Sequence, residues 1–263
     1  MPCDLSSFEN PQQLIDWAHE AIIEADFATQ DFVNDKNIII LIKHNPEAGI
    51  SAAVVRQINP IPDFITRKLT EALNNLRNSF DQSLFAACQA IGSPVRDAHF
   101  PWANNPIPDL DWKLKGSKPS KPKIPLEMWD VIRLQEPYPT GESYPGGNDV
   151  IRQAAKIANS KHTIGLSIGA AAERFETTLR GAIPNGLRIG PGWNPVDNDL
   201  ELFTWPFGEP EPHLKGSLAL YVRFSAPPPV GRMHAAEVLE LFKHKAQSVL
   251  DALKARVVEI RGV

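Results

Sequence analysis

Two short segments hold the side chains whose types and spacing could support chemistry. The first lies on the stretch 62–92, where Ile65, Leu69, Leu73, Leu76, Phe80, Leu84 and Ile91 recur at helical spacing. Arg77 falls at the margin of that apolar stripe, about 40° from Leu73 and about 20° from Leu84 around the helix axis. Asp81 lies one turn after it and Asn74 one turn before, so both share its flank. Two roles fit this placement. Arg77 and Asp81 can form an i,i+4 ion pair that seals the core edge, the arginine stem lying along apolar surface. Alternatively the planar guanidinium can face a cleft and grip a phosphate or carboxylate.

The second segment is Lys161-His162, just beyond a helix expected near 148–160. A cationic ring there is favoured by the helix dipole, which is also a purely structural reason for its presence. With Arg77 and Asp81 around one cleft, Lys161 and His162 would complete an Arg/His site for an anionic substrate. A weaker binding candidate is the run Lys113, Lys115, Lys118, Lys121 and Lys123, with Trp112 beside it and no acidic residue between 113 and 123. Charge plus one aromatic platform suits single-stranded nucleic acid, and a solvated, proline-stiffened loop has the same composition. The other histidines show no zinc-ligand spacing; Glu240 and His244 are one turn apart but stand alone. No metal or cofactor site is expected. Gly146-Gly147 and Gly190-Pro191-Gly192 lack the spacing of a phosphate-binding loop, and no serine-centred nucleophile elbow occurs.

The segment Asn75-Leu76-Arg77-Asn78-Ser79-Phe80-Asp81-Gln82 resembles the helix of a group of uncharacterised bacterial proteins, which reads Asn-Leu-Arg, three residues, then Asp-His. Asn159-Ser160-Lys161-His162-Thr163 is similar to that group's Asn-x-x-Lys-His segment, one residue shorter here. The resemblance implies a bacterial protein and brings no activity with it. An Arg-x4-His helix would also be similar to HEPN-type ribonucleases, in which arginine and histidine meet across a dimer to cleave RNA. Gln82 stands at the histidine position. Glutamine is neither a general acid nor a general base, so this resemblance implies a copy without that chemistry.

Composition sets the frame for these residues. The chain has 263 residues, 43% of them hydrophobic and 22% charged, enough to bury a core without disulfides or metals. A net charge of −4 gives no global field toward nucleic acid or anionic lipid. Cys3 and Cys88 make no disulfide framework, and Met1-Pro2-Cys3-Asp4-Leu5 lacks the basic start and apolar stretch of a signal peptide. The run Ile164 to Ala172 is about half of what spans a bilayer, so the expectation is a soluble, cytoplasmic protein with no membrane segment.

The elements that must position Arg77 and its neighbours read as α+β. Long helices are expected at about 11–33, 62–92 and 232–260, packed with a hairpin and a small, mostly antiparallel sheet. The helix at 11–33 is expected to bury Leu14, Trp17, Ala18, Ala21, Ala25, Ala28 and Phe32. In the hairpin, 37–43 and 50–58 are the strands; the unbroken apolar run Ile38–Ile42 predicts a first strand covered on both faces. If instead it leaves an open edge, a homodimer is one way to cover it. Residues 163–180 fit strand or helix equally, and strands are expected around 187–189, 200–203 and 217–224. One domain, 1–263, is expected, with 93–147 as an ordered excursion that holds ten of the 24 prolines and carries a short helix at about 125–135. The functional expectation is a binding or interaction protein. The alternative is an enzyme on an anionic or RNA substrate, a degenerate HEPN-type ribonuclease among them.

Overall fold

The structure is a computed structural model. It describes residues 5–35, 37–93, 99–116, 123–159, 165–176, 188–194, 199–211 and 215–262, with backbone alone at 170–176, 188–194 and 215–219. In chain order the elements are α1 (Glu9–Asn34), β1 (Ile38–Asn45), β2 (Ile50–Gln57), α2 (Asp63–Ala90), α3 (Asp111–Lys115), α4 (Trp129–Leu134), α5 (Asp149–Ala158), β3 (Leu166–Glu176), β4 (Arg188–Asn194), β5 (Asp199–Pro206), β6 (Lys215–Phe224) and α6 (Ala235–Arg261). The architecture is α+β. One four-stranded sheet runs β1-β2-β5-β4 and a two-stranded ribbon pairs β3 with β6, every described pairing being antiparallel. No helix among the described residues is long and apolar enough to cross a membrane.

α2 is the central helix, packed on α1, α5 and α6. Three neighbours explain why its buried face is wider than a single stripe: Ala72, Ser79, Ser83, Ala86, Ala87 and Cys88 are buried along with Ile65, Leu69, Leu73, Leu76, Phe80 and Leu84. Small residues let the neighbouring backbones approach, and the Ser79 and Ser83 hydroxyls donate back to the Leu76 and Ser79 carbonyls. The helix ends in a Schellman motif. Gly92, at φ +76°, donates to the Gln89 carbonyl, and Ser93 donates to that of Cys88. At its other flank α5 starts where the sequence indicates, with the Asn148 side chain accepting from the Ile151 amide at 3.0 Å.

Two expectations differ from the structure, and one alternative left open is resolved. On α1 the buried face is turned away from Trp17, which is 47% exposed, and is built from Ile15, Ala18, Ala21, Ile22 and Ala25. Alanines meet α2 and α6 there, so the largest ring is left outside. Residues 166–176 settle as a strand, because β6 offers them a ladder from Leu166↔Phe224 onward. Finally, the strand covered on both faces is β2, whose Ser51–Val55 are all buried, and not β1. β1 lies at the sheet edge with Ile39 and Ile40 exposed, Ile40 by 63%. An apolar run thus marks β1 as a strand without saying which of its sides is covered.

The excursion is tied into the helices by aromatic rings. Phe100 and Trp102 are buried against Phe80 of α2 at centroid distances of 5.1 and 4.8 Å, and Phe242 of α6 stacks on Phe80 at 5.2 Å. These residues belong to one buried cluster that also takes in α1, α5 and the ribbon residues Ile168, Val222 and Phe224. Ala52–Val55, Leu200 and Trp205 of the four-stranded sheet are buried outside that cluster.

Candidate functional site

Helical spacing puts Arg77 and Asp81 on one flank of α2, and the structure pairs them. Arg77 Nη1 lies 2.6 Å from Asp81 Oδ1, a charge contact too oblique to count as a hydrogen bond. The side chains retain only 14% and 18% exposure, so solvent screens the pair weakly. Arg77 Nε also donates to Asn159 Oδ1 at 3.1 Å. Asn159 is the C-cap of α5, so this contact ties the end of α5 to the middle of α2.

Asp81 has two further partners. Its Oδ1 accepts from the Phe100 amide at 2.7 Å, and its Oδ2 lies 3.1 Å from His99 Nδ1. One carboxylate therefore joins α2, the start of the excursion and, through Arg77, the end of α5. Such convergence is what a positioning residue provides: Phe100 is held over Phe80 and the α5 terminus is held against α2. His99 was not singled out by sequence, because 18 residues separate it from Asp81 and no helical spacing connects them. It is largely exposed, 65% at the side chain.

A second cation stands close by. Arg152 of α5 donates from Nε to the Ala103 carbonyl at 2.8 Å and from Nη2 to Asn104 Oδ1 at 3.3 Å. Burial lowers its basicity, Asp109 opposes that, and the Arg77 charge lowers it further. The loop it holds is cross-braced by the Asn104 amide to Asp109 Oδ2 at 2.7 Å, Asp109 amide to Asn105 Oδ1 at 3.0 Å and Tyr144 hydroxyl to the Asn104 carbonyl at 3.2 Å. Arg77 Nε and the Nε and Nη2 of Arg152 thus bond to the protein itself, while the buried Arg77 Nη1 meets Asp81 by charge alone.

Lys161 and His162 lie outside the described residues, as do Lys118 and Lys121 of the basic run. The rest of that run is partly neutralised from within. Lys113 Nζ donates to the Trp102 carbonyl at 2.6 Å and lies 3.9 Å from Asp109, and Lys115 lies 3.7 Å from Asp111. Both acids precede position 113, which is why a count over 113–123 finds none. Trp112 is 62% exposed and Lys123 is exposed, its backbone amide bonded to the Lys115 carbonyl. Glu240 pairs with Lys243 at 2.6 Å and with His19 at 3.4 Å, leaving His244 outside the pair. No group of three or more potential metal ligands occurs among the described residues. Comparison with protein-family models, with curated proteins and with solved structures finds no match for this chain.

Proposed function

We propose that this chain is a non-catalytic interaction protein that works as a homodimer, joined edge to edge through β1. One observation carries the reading: β1 is an eight-residue edge strand that opens with five aliphatic residues, Ile38-Ile39-Ile40-Leu41-Ile42, and no described strand pairs with its outer side. Edge strands are ordinarily blunted by charge, proline or brevity, and the middle of β1 has none of these. Arg77 and Asp81 are spent on positioning, which favours interaction over catalysis. A reducing, cytosolic setting fits the free, buried Cys88.

The ladder geometry says which groups face outward. Ile58 donates to the Asn37 carbonyl at 2.8 Å, and the β1–β2 register continues from that pair as Ile38↔Gln57. Residues 37, 39, 41, 43 and 45 therefore bond to β2, and Ile38, Ile40, Ile42 and His44 turn their amides and carbonyls outward. A two-fold axis through Leu41 pairs Ile40 of one copy with Ile42 of the other, so outward residues meet outward residues along the strand. Each such aliphatic pair contributes about 0.2–1 kcal/mol beyond the backbone bonds.

Light scattering on the eluting full chain tests this directly. The expected mass is twice the 29.1 kDa of one chain. Ile42→Pro removes an outward donor while sparing the β2 ladder, and Ile40→Lys places a charge at the seam; both are expected to give folded monomers. A wild-type chain that elutes as a monomer at all working concentrations refutes the reading, as does a dimer untouched by both substitutions.

A further inference from the structure

A second surface feature is independent of β1. Arg223 lies on β6 opposite Ser167 of β3, and its guanidinium is fixed by two neutral acceptors. Nε donates to Ser167 Oγ at 3.2 Å and Nη1 to the Gly231 carbonyl at 2.9 Å. Gly231 can stand there only as glycine, because an added Cβ would collide with the Ala226 carbonyl. Arg232 follows at once, held through its backbone by the Tyr221 hydroxyl at 3.0 Å, with its side chain exposed.

These segments wall an open cavity of about 460 Å³, within the range of small-ligand sites. Both arginines line it together with Ser167, Ser225 and Phe224, and none of its lining residues is acidic. Among the described residues neither arginine has a carboxylate within 4.0 Å, although Arg56, Arg77, Arg133 and Arg256 each do. Two arginines and no acid among the lining residues make the local potential positive. A guanidinium already oriented by its neighbours, as that of Arg223 is, loses little freedom on binding an anion.

We propose that this cavity binds the phosphate group of a small molecule, gripped by Arg223 and Arg232 with the Ser225 hydroxyl as a further donor. With Nε and Nη1 of Arg223 already bonded to Ser167 and Gly231, Nη2 is the edge left to a ligand. The three terminal oxygens of a phosphate can accept from it, from Arg232 and from Ser225 together, where a carboxylate has only two. The cavity shares no residue with β1, so loss of the dimer in the Ile40→Lys variant leaves this site intact.

The test is an NMR titration of the ¹⁵N-labelled full chain with inorganic phosphate and with glycerol 3-phosphate, and with acetate at matched ionic strength. Saturable shifts confined to residues 223–232 and the Arg223 Nε–H are expected for both phosphates and not for acetate. Arg232→Gln is expected to weaken binding about tenfold or more, the equivalent of one charge-assisted hydrogen bond. Because Arg232 is exposed, the melting temperature of that variant should match wild type, and Arg232→Lys should recover part of the affinity. Arg223→Lys, which loses the fork and keeps the charge, should also bind weakly. No saturable shift, equal shifts with acetate, or undiminished phosphate affinity in Arg232→Gln overturns the proposal. So does a short RNA that binds more tightly than either phosphate and loses its affinity in the same variant.

Discussion

Replacing Asp81 by alanine tests whether the Arg77 cluster positions the fold. The substitution deletes the acceptor of the Phe100 amide, 2.7 Å away, and the counter-ion of Arg77, at 2.6 Å. Breaking a fully buried ion pair from one side costs about 3–5 kcal/mol. The 14% and 18% exposure remaining here argues for the lower end, about 3 kcal/mol with the lost backbone bond included. His99 adds little, being 65% exposed. For a chain of this size that loss lowers the melting temperature by about 6–12 °C. Asp81→Asn keeps an acceptor for Phe100 and should lose about half as much, since it removes the charge and not the oxygen. Arg77→Met leaves Asp81 its Phe100 and His99 partners and should lose about 1–2 kcal/mol. Calorimetry and urea unfolding of the two single variants and the double variant give the coupling, expected above about 1 kcal/mol because the residues touch. If Asp81→Ala and Arg77→Met turn out neutral or stabilising, as substitutions at strained functional sites often are, the positioning argument is wrong.

Two pH dependences follow from buried groups. Burial pushes the Cys88 thiol from 9.0 up to about 12, so the unfolded chain releases this proton first and stability falls as pH rises between those values. The three-unit gap corresponds to about 4 kcal/mol at its upper limit, and Cys88→Ala should remove that part of the alkaline slope in urea midpoints measured against pH. Asp199 behaves in the opposite sense. The bidentate Arg56, at 2.9 and 3.1 Å, holds its carboxyl below the usual range, with Lys43 adding to the effect against the penalty of burial. Its contribution is present above the ordinary aspartate value near 4 and is lost as pH falls through the lower folded one; Asp199→Asn should flatten the acid limb of the same plot.

Much of this molecule follows from sequence periodicity alone. The seven-residue apolar stripe from Ile65 to Ile91 determines α2, Asn148 after two glycines determines the start of α5, and β-branched runs determine the hairpin. The Arg77–Asp81 pair is legible for the same reason, since four residues along a helix is a fixed distance in space. Tertiary structure decided the rest. His99 and Asn159 reach the pair from 18 and 82 residues away, a separation that no local rule converts into proximity. Trp17 and Ile15 are both large hydrophobic residues on α1, and the docking of α1 on α2 and α6 buries Ile15 and leaves Trp17 outside. β1 and β2 carry similar runs, yet β5 pairs with β2 and leaves β1 at the edge. Strand order is set by which chains meet across the sheet, and the alternation of one strand contains no record of its neighbours.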